Sequence, residues 1–537
     1  MRRHLRGCRG DAGRRSGSRA VLAMGGGKAS RPFRSGAEPV ATRQRYVLRY
    51  DPATAVSPGQ QDALAGDEGL AQDETAVFGK QRCYLPGCDT YLKNVKEMTM
   101  AASKKNILLV SLDDAIAYWN YKSAFNEPLQ TPNLDRICET STAFRSAYCQ
   151  APICGPSRAS FMSAKTPHQL GIFDHDADVF DRIGATEMWG YQLKANGYFC
   201  SSGGKVHHRY RPVRRRFHNI IYSDQQKDFA SDMHLPPDIG KKRFGGNRGG
   251  WGTTDEKDDS GYYDAKSADS AIHFLQNYDR EEPFYREMGF YSPHGPHYTP
   301  ARFKEMYDAS SFKQPEAWKE GFGLNDFADT HWPENDFIKK GDLNWWRDSV
   351  RNYYSAFSHG DFHLGRVWDA LKASRHAANT VVVILSDHGF HLGNRNRYMK
   401  TTLWEQVAGV PFIIHDPEYP REQIVKDPVA LLDVGPTVLD YAGLPALTDC
   451  VGQSLRPYTT GYSDPDRVIP TFYRDSATIR KGVFRFIRYE DASTQIFDLA
   501  NDYWQLHDLG TACPEYDAMY DALVECCRVY GFEVPGR

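Results

Sequence analysis

Asn106-Ile-Leu-Leu-Val-Ser-Leu112 is a continuous apolar run that ends in the acidic pair Asp113-Asp114. A short run without polar alternation suits a strand buried on both faces, as in a parallel sheet. A second such run, Thr380-Val-Val-Val-Ile-Leu385, ends in Ser386-Asp387-His388-Gly389. Between them the pattern alternates: helix over 131–142, strand over 144–148, helix over 188–196, strand over 198–202, helix over 264–277, strand over 283–291 and helix over 347–374. This alternation predicts an α/β unit with a large, mostly parallel sheet flanked by helices. Past Pro445 the pattern changes, with short strand candidates at 468–472, 483–489 and 495–498 before a helix over 515–529. That predicts a smaller C-terminal α+β domain carrying an antiparallel sheet. The expected division is 98–445 for the catalytic unit and 446–537 for the C-terminal subdomain, with 209–262 a long excursion of loops.

The 537 residues are 41% hydrophobic and 25% charged with a formal net charge of −2, an ordinary globular balance without the basic footprint of a nucleic-acid binder. No apolar run reaches the roughly 18 residues of a membrane span, so neither nucleic acid nor membrane is an expected partner. Eleven cysteines occur without CxxC spacing, which argues for reduced thiols and a cytoplasmic location. The first 97 residues stand apart: eleven arginines fall between Met1 and Arg45 against two acids, Asp11 and Glu38. They read as a disordered or mis-assigned extension, with the true start at Met98 or Met100.

In Pro152-Ile-Cys-Gly-Pro-Ser-Arg158 the Gly155-Pro156 step suits a tight turn into a helix, which places Cys154 at a helix N-terminus. Unpaired N–H groups and the positive helix end favour negative charge there, and Arg158 brings a planar fork of donors for an oxyanion. The two acidic clusters, Asp113-Asp114 and Asp387-His388, each close an apolar strand, on the edge where open α/β sheets bind ligands. Three carboxylates and an imidazole suit a hard divalent cation, Ca²⁺ or Mg²⁺, with the nitrogen leaving room for Mn²⁺.

With Cys154, Ser157 and Arg158 in the order Cys-x-Pro-Ser-Arg, the chain resembles the sulfatase family, most closely its iduronate-2-sulfatase branch and bacterial relatives. The likeness runs over roughly residues 104–510, through Thr131-Pro-Asn-Leu-Asp135, Val410-Pro-Phe-Ile-Ile414, Leu432 to Leu444 and Gln495-Ile-Phe-Asp-Leu499. It implies an alkaline phosphatase-like fold and conversion of Cys154 to formylglycine by a formylglycine-generating enzyme. It also implies one divalent metal, Ca²⁺ first, on Asp113, Asp114, Cys154, Asp387 and His388. Gly204-Lys205-Val206-His207-His208 resembles the segment whose lysine and histidine flank the aldehyde; His207 and His208 compete, and His208 is favoured. Ser292-Pro-His294-Gly-Pro-His297 resembles the segment whose first histidine touches sulfate, which selects His294 and leaves His297 structural or substrate-facing. Lys400 falls where the family keeps a sulfate-binding lysine.

The resemblance therefore implies hydrolysis of a small anionic sulfate monoester. Arg158, Lys205 and Lys400 would neutralise the sulfate oxygens, His294 would protonate the leaving alcohol, and His208 would recycle the aldehyde. Hydrolysis of a phosphonate monoester or phosphodiester at the same site is the alternative, and a non-catalytic protein that keeps Cys154 as a thiol is the third reading. One departure from the family is Asn394-Arg-Asn-Arg397 after Leu392-Gly393, where two added arginines near the pocket suggest an anionic substrate or a rearranged rim. His391 is a neighbour without an assigned role. Trp119, Tyr121, Trp318, Trp332 and Trp345 suit either a pocket wall or the core.

Overall fold

Every side chain of β1 (Asn106–Asp113) is buried, and its residues divide between two apolar layers. Ile107 and Leu109 pack with Phe161, Trp189 and Val438 on one face, while Leu108 and Val110 pack with Met288, Val350 and Leu371 on the other. The computed structural model describes residues 104–208, 213–225, 240–247 and 249–534. The expectations for the first 97 residues lie outside them.

The other strands, in chain order, are β2 (Thr142–Tyr148), β3 (Phe199–Gly204), β4 (Lys241–Arg243), β5 (Trp251–Thr253), β6 (Phe284–Pro293), β7 (Thr380–Ser386), β8 (Gly409–His415), β9 (Gln423–Val425), β10 (Val429–Ala430), β11 (Val468–Tyr473), β12 (Ser476–Lys481), β13 (Phe484–Arg488) and β14 (Thr494–Asp498). The large sheet has the order β10-β2-β8-β7-β1-β6-β3, with β9 also on β2. Its β7-β1-β6-β3 half is all parallel, and β8 runs antiparallel to both β7 and β2. Strands β11 to β14 form a separate antiparallel sheet that packs on the terminal helix Tyr516–Val529. The fold is thus the mixed, mostly parallel α/β sheet with an antiparallel C-terminal sheet that the apolar patterning predicts.

Two local expectations differ. The excursion after residue 208 is not loop throughout: its described part holds a helix, Arg215–Ile221, and the β4–β5 ribbon. Strand β12 escapes sequence reading because its hairpin turn, Arg474-Asp475 between paired Tyr473 and Ser476, lacks Gly or Asn, and Arg474 itself takes φ 51°.

The long helix Leu343–Ala373 covers one sheet face and carries a buried histidine pair. His363 Nε2 lies 3.0 Å from His359 Nε2, and Arg366 approaches His363 Nδ1 at 3.1 Å. Burial pushes His359 down to about 3, so the folded protein keeps it neutral where the unfolded chain, near 6.5, takes up a proton. Its contribution is therefore complete above pH 6.5 and falls as the pH drops below it, by about 1.4 kcal/mol per pH unit. Denaturant unfolding of His359→Gln beside the unsubstituted protein should show the smaller loss of stability in the variant below about pH 6.5.

Candidate active site

Register brings the acidic clusters together. Leu112 pairs with Ser386, and Asp113 pairs with Pro293, so β1, β7 and β6 stop at one edge. Asp113, Asp114, Asp387, His388 and His294 leave the sheet side by side, although Asp114 and Asp387 are 273 residues apart and their N–H and Oδ1 meet at 3.1 Å. Lys205 follows β3, and its N–H donates to Gly289 O at 3.2 Å. A Cβ at Gly204 (φ 78°) or at Gly289 would overlap the backbone of the other segment, so this crossing needs both glycines.

Cys154 begins the helix Cys154–Ser163, all of whose residues are buried. Ile153 at the N-cap offers no side-chain cap, which leaves the helix end polarised toward the site. Ser157 Oγ donates to Asp387 O at 2.5 Å and pins this helix to the end of β7. Around Cys154 Sγ lie Lys400 Nζ at 2.9 Å, His388 Nε2 at 3.2 Å and Asp114 Oδ1 at 3.8 Å. Lys400 Nζ also donates to Asp114 Oδ1 at 2.7 Å, His294 Nε2 stands 3.8 Å from Asp114 Oδ2, and Lys205 pairs with Asp113. Burial by itself would raise the Cys154 thiol, but Lys205, Lys400, His388 and a hydrogen bond from His208 hold it well below the ordinary value. Burial likewise opposes charge on Asp113, and Lys205 prevails to keep that carboxyl low.

The expectation that Arg158 offers its fork to a substrate oxyanion is revised. Its Nε donates to Asp387 Oδ2 at 2.8 Å, Nη1 to Lys205 O at 2.7 Å and Val206 O at 3.0 Å, and Nη2 to Leu112 O at 3.0 Å. The guanidinium is 1% exposed and spent on protein acceptors, so it orders the site rather than reaching a substrate. The arginines after Leu392-Gly393 also turn away from the pocket. Arg395 binds Gly323 O and lies over the Trp404 ring, and Arg397 binds Trp332 O and Asp329. His391 is buried between Thr402 and Asn394, and Trp318 and Trp332 pack in aromatic clusters.

Donor atoms of Asp113, Cys154, Asp387 and His388 lie within 4.8 Å of one another, as do those of Asp113, Asp114, Cys154 and His294. Carboxylates this close and this buried repel unless cations offset them, and the set of hard oxygens with one imidazole fits a divalent metal ion. His388 Nδ1 meets Gly389 O at 2.9 Å, which turns Nε2 toward the carboxylates. Burial works against charge on His388, yet Asp387 and the Cys154 sulfur lift it to about 9, the same negative field that would draw a metal ion to Nε2.

Of the two competing histidines, His208 belongs to the group around Cys154. His207 points away, its Nε2 3.0 Å from Tyr222 OH, which donates to buried Glu287 at 2.6 Å. His297 is buried and neutral, pushed down to about 3 by burial. Sequence reading missed His175, whose ring stacks on His208 at 4.0 Å, and Tyr353. Tyr353 OH donates to Asp114 O at 2.5 Å and accepts from Ile116 N at 3.1 Å, while Ser386 Oγ accepts from Ala115 N at 2.9 Å. These bonds hold Asp114 at φ 62°, a conformation costly for a residue with a side chain. No motif marks Tyr353; only the helix that crosses the sheet brings it there.

A cleft of about 400 Å³ opens beside Asp114, His294 and Lys400, with Phe390 and Tyr398 as apolar wall. An α/β sheet whose strand ends gather carboxylates, lysines and a thiol beside such a cleft defines a hydrolytic enzyme. The chain belongs to the sulfatase family, whose sequence model, described as Sulfatase, matches residues 105–444. It is 28% identical over 434 residues to a protein named Sulfatase from Formosa agariphila, covering 76% of this chain and 83% of that one. It is 23% identical to mouse iduronate 2-sulfatase over 67% of this chain and 72% of that protein. The fold is shared with the phosphonate monoester hydrolase of Agrobacterium radiobacter, at TM-score 0.60 and 16% identity over 79% of this chain and 95% of that one.

Tyr353→Phe should cost about 1–3 kcal/mol of stability by leaving the Ile116 N–H and Asp114 carbonyl without this partner. It should also weaken binding of a divalent cation to the carboxylates by about tenfold or more as Asp114 relaxes, read by calorimetric titration.

Proposed function

We propose that the protein hydrolyses a small anionic sulfate monoester, using a formylglycine made from Cys154 by a formylglycine-generating enzyme. The observation that carries this reading is the convergence of Lys400, His388 and Asp114 on the Cys154 side chain, inside a family whose signature cysteine stands at that position. Cysteine Sγ occupies the place of the aldehyde's oxygen substituents. A formylglycine there would supply, as its hydrate, one hydroxyl to attack sulfur as the alcohol leaves, and a second whose lost proton would restore the aldehyde and expel inorganic sulfate. A divalent cation, Ca²⁺ before Mg²⁺ or Mn²⁺, held by Asp113, Asp114, Asp387 and His388, supplies positive charge for the sulfate and eases loss of the hydroxyl proton.

The chain's own groups do the rest. Lys400, between Asp114 and position 154 on the cleft wall, sets a fixed positive charge where sulfate oxygens gather. Lys205 holds Asp113 ionised and adds charge from behind. His294 meets Gly295 O through Nδ1 at 2.6 Å, so Nε2 faces the cleft, where it delivers a proton to the leaving alcohol oxygen. His208 takes up the proton of the second hydroxyl at position 154. Arg158 positions Asp387 and the ends of the strands. Phosphonate monoester or phosphodiester hydrolysis is the second reading, because the same charge clamp accepts any tetrahedral anion of this size.

Mass spectrometry of the peptide Ser146 to Arg158 after thiol alkylation should show Cys149 alkylated and position 154 as an aldehyde. Full alkylation of both cysteines in protein from its native host would overturn the mechanism and favour a binding protein. A panel of sulfate and phosphonate esters should show the higher kcat/KM on sulfates. Lys400→Ala should lower kcat/KM by about 10²–10³. His294→Ala should cost about 10²–10⁴ on alkyl sulfates and far less on aryl sulfates, whose leaving groups need no proton.

A further inference from the structure

Cys154 has a second set of partners besides the carboxylates. His175 and His208 stack with ring centroids 4.0 Å apart and planes within 7°. One ligating atom from each and Cys154 Sγ all lie within 4.8 Å of one another. Neither imidazole belongs to the hard-cation set described above. His208 Nδ1 is buried and has no hydrogen-bond partner among the described residues. His175 is exposed, so the group opens to solvent. A Cβ at Gly155 would stand 2.7 Å from His175 Nδ1, so the glycine after Cys154 is what lets this ring approach.

We propose that the chain as translated carries, at Cys154, His175 and His208, a site for a borderline-soft divalent ion such as Zn²⁺. One thiolate and two imidazoles are the donors such ions prefer, whereas Ca²⁺ and Mg²⁺ take oxygens. Cys154 binds as the thiolate that its cationic neighbours already favour, forming one metal–sulfur bond beside two metal–nitrogen bonds from the neutral imidazoles; no electrons are transferred. Three protein ligands leave a fourth position for water. Lys400 opposes the ion: its ammonium must give up the 2.9 Å contact to sulfur, retaining its 2.7 Å pair with Asp114. One consequence rests on the conversion proposed above: an aldehyde at position 154 removes the thiolate and erases this site, while the carboxylate site remains. The oxidation state of one residue then decides whether the centre takes a soft ion or only a hard one.

The test uses full-length protein from cell-free synthesis without converting enzyme, with Cys154 shown by mass to be a thiol. Co²⁺, the spectroscopic stand-in for Zn²⁺, should give a thiolate-to-metal absorption band that Zn²⁺ bleaches. The band should vanish in Cys154→Ser, and His175→Ala and His208→Ala should weaken Co²⁺ binding by about tenfold or more. Excess Mg²⁺, which takes oxygen ligands, should leave the band in place, and thermal melts without metal establish that each variant is folded. Absence of a thiolate band, or its persistence in Cys154→Ser, overturns the proposal. So does bleaching of the band by Mg²⁺ as complete as by Zn²⁺, which would place the ion among the carboxylates. Ester hydrolysis by converted protein is measured separately, so either idea can fail without the other.

Discussion

The buried guanidinium of Arg158 is the tie on which the rest of the site depends. It joins the end of β7 through Asp387, the end of β1 through Leu112 O, and the segment after β3 through the Lys205 and Val206 carbonyls. These segments are separated in sequence and each brings charge to one sheet edge. A fixed, always-charged fork holds them at once, which a flexible ammonium could not do. Burial alone would discourage the charge, but Asp387 and Asp113 hold the guanidinium firmly protonated. Removing one partner of such a network strands the others in a dry interior, a far larger penalty than the net worth of the pairing.

Charge balance explains the neighbours. Asp113, Asp114 and Asp387 are all nearly or fully buried, so Arg158, Lys205 and Lys400 surround them. The same positive groups favour negative charge on Cys154 at the end of a polarised helix. The backbone bends to meet this demand: Asp114 and Thr401, flanking the cleft, both take left-handed φ, at 62° and 74°. Tyr353, Ser386 and the Pro152 carbonyl supply the bonds that hold these turns. Rigid packing of the helix Leu343–Ala373 against the sheet thus becomes precision at the site.

Several roles emerge only from direction. Arg395 and Arg397 read as rim cations, yet they bind carbonyls and lie over aromatic rings away from the cleft. His207 and His208 are equivalent by spacing, but successive residues point to opposite sides, so one joins Tyr222 and Glu287 and the other joins Cys154. His175, between two aspartates in an exposed segment, carries no motif, and stacking on His208 is the reason to notice it.

By itself the sequence determined the α/β class, because short apolar runs alternating with helical patterns fit strands buried on both faces between covering helices. It also named the groups of the candidate centre, since Cys154 at a helix start and two acidic strand ends are local facts. Tertiary structure alone decided the register that aligns Leu112 with Ser386, the spending of Arg158 on backbone carbonyls, and which histidine faces the thiol. The reason is physical: chain order states which groups exist and which segments bury them, whereas the direction of each donor depends on neighbours supplied by distant strands and helices.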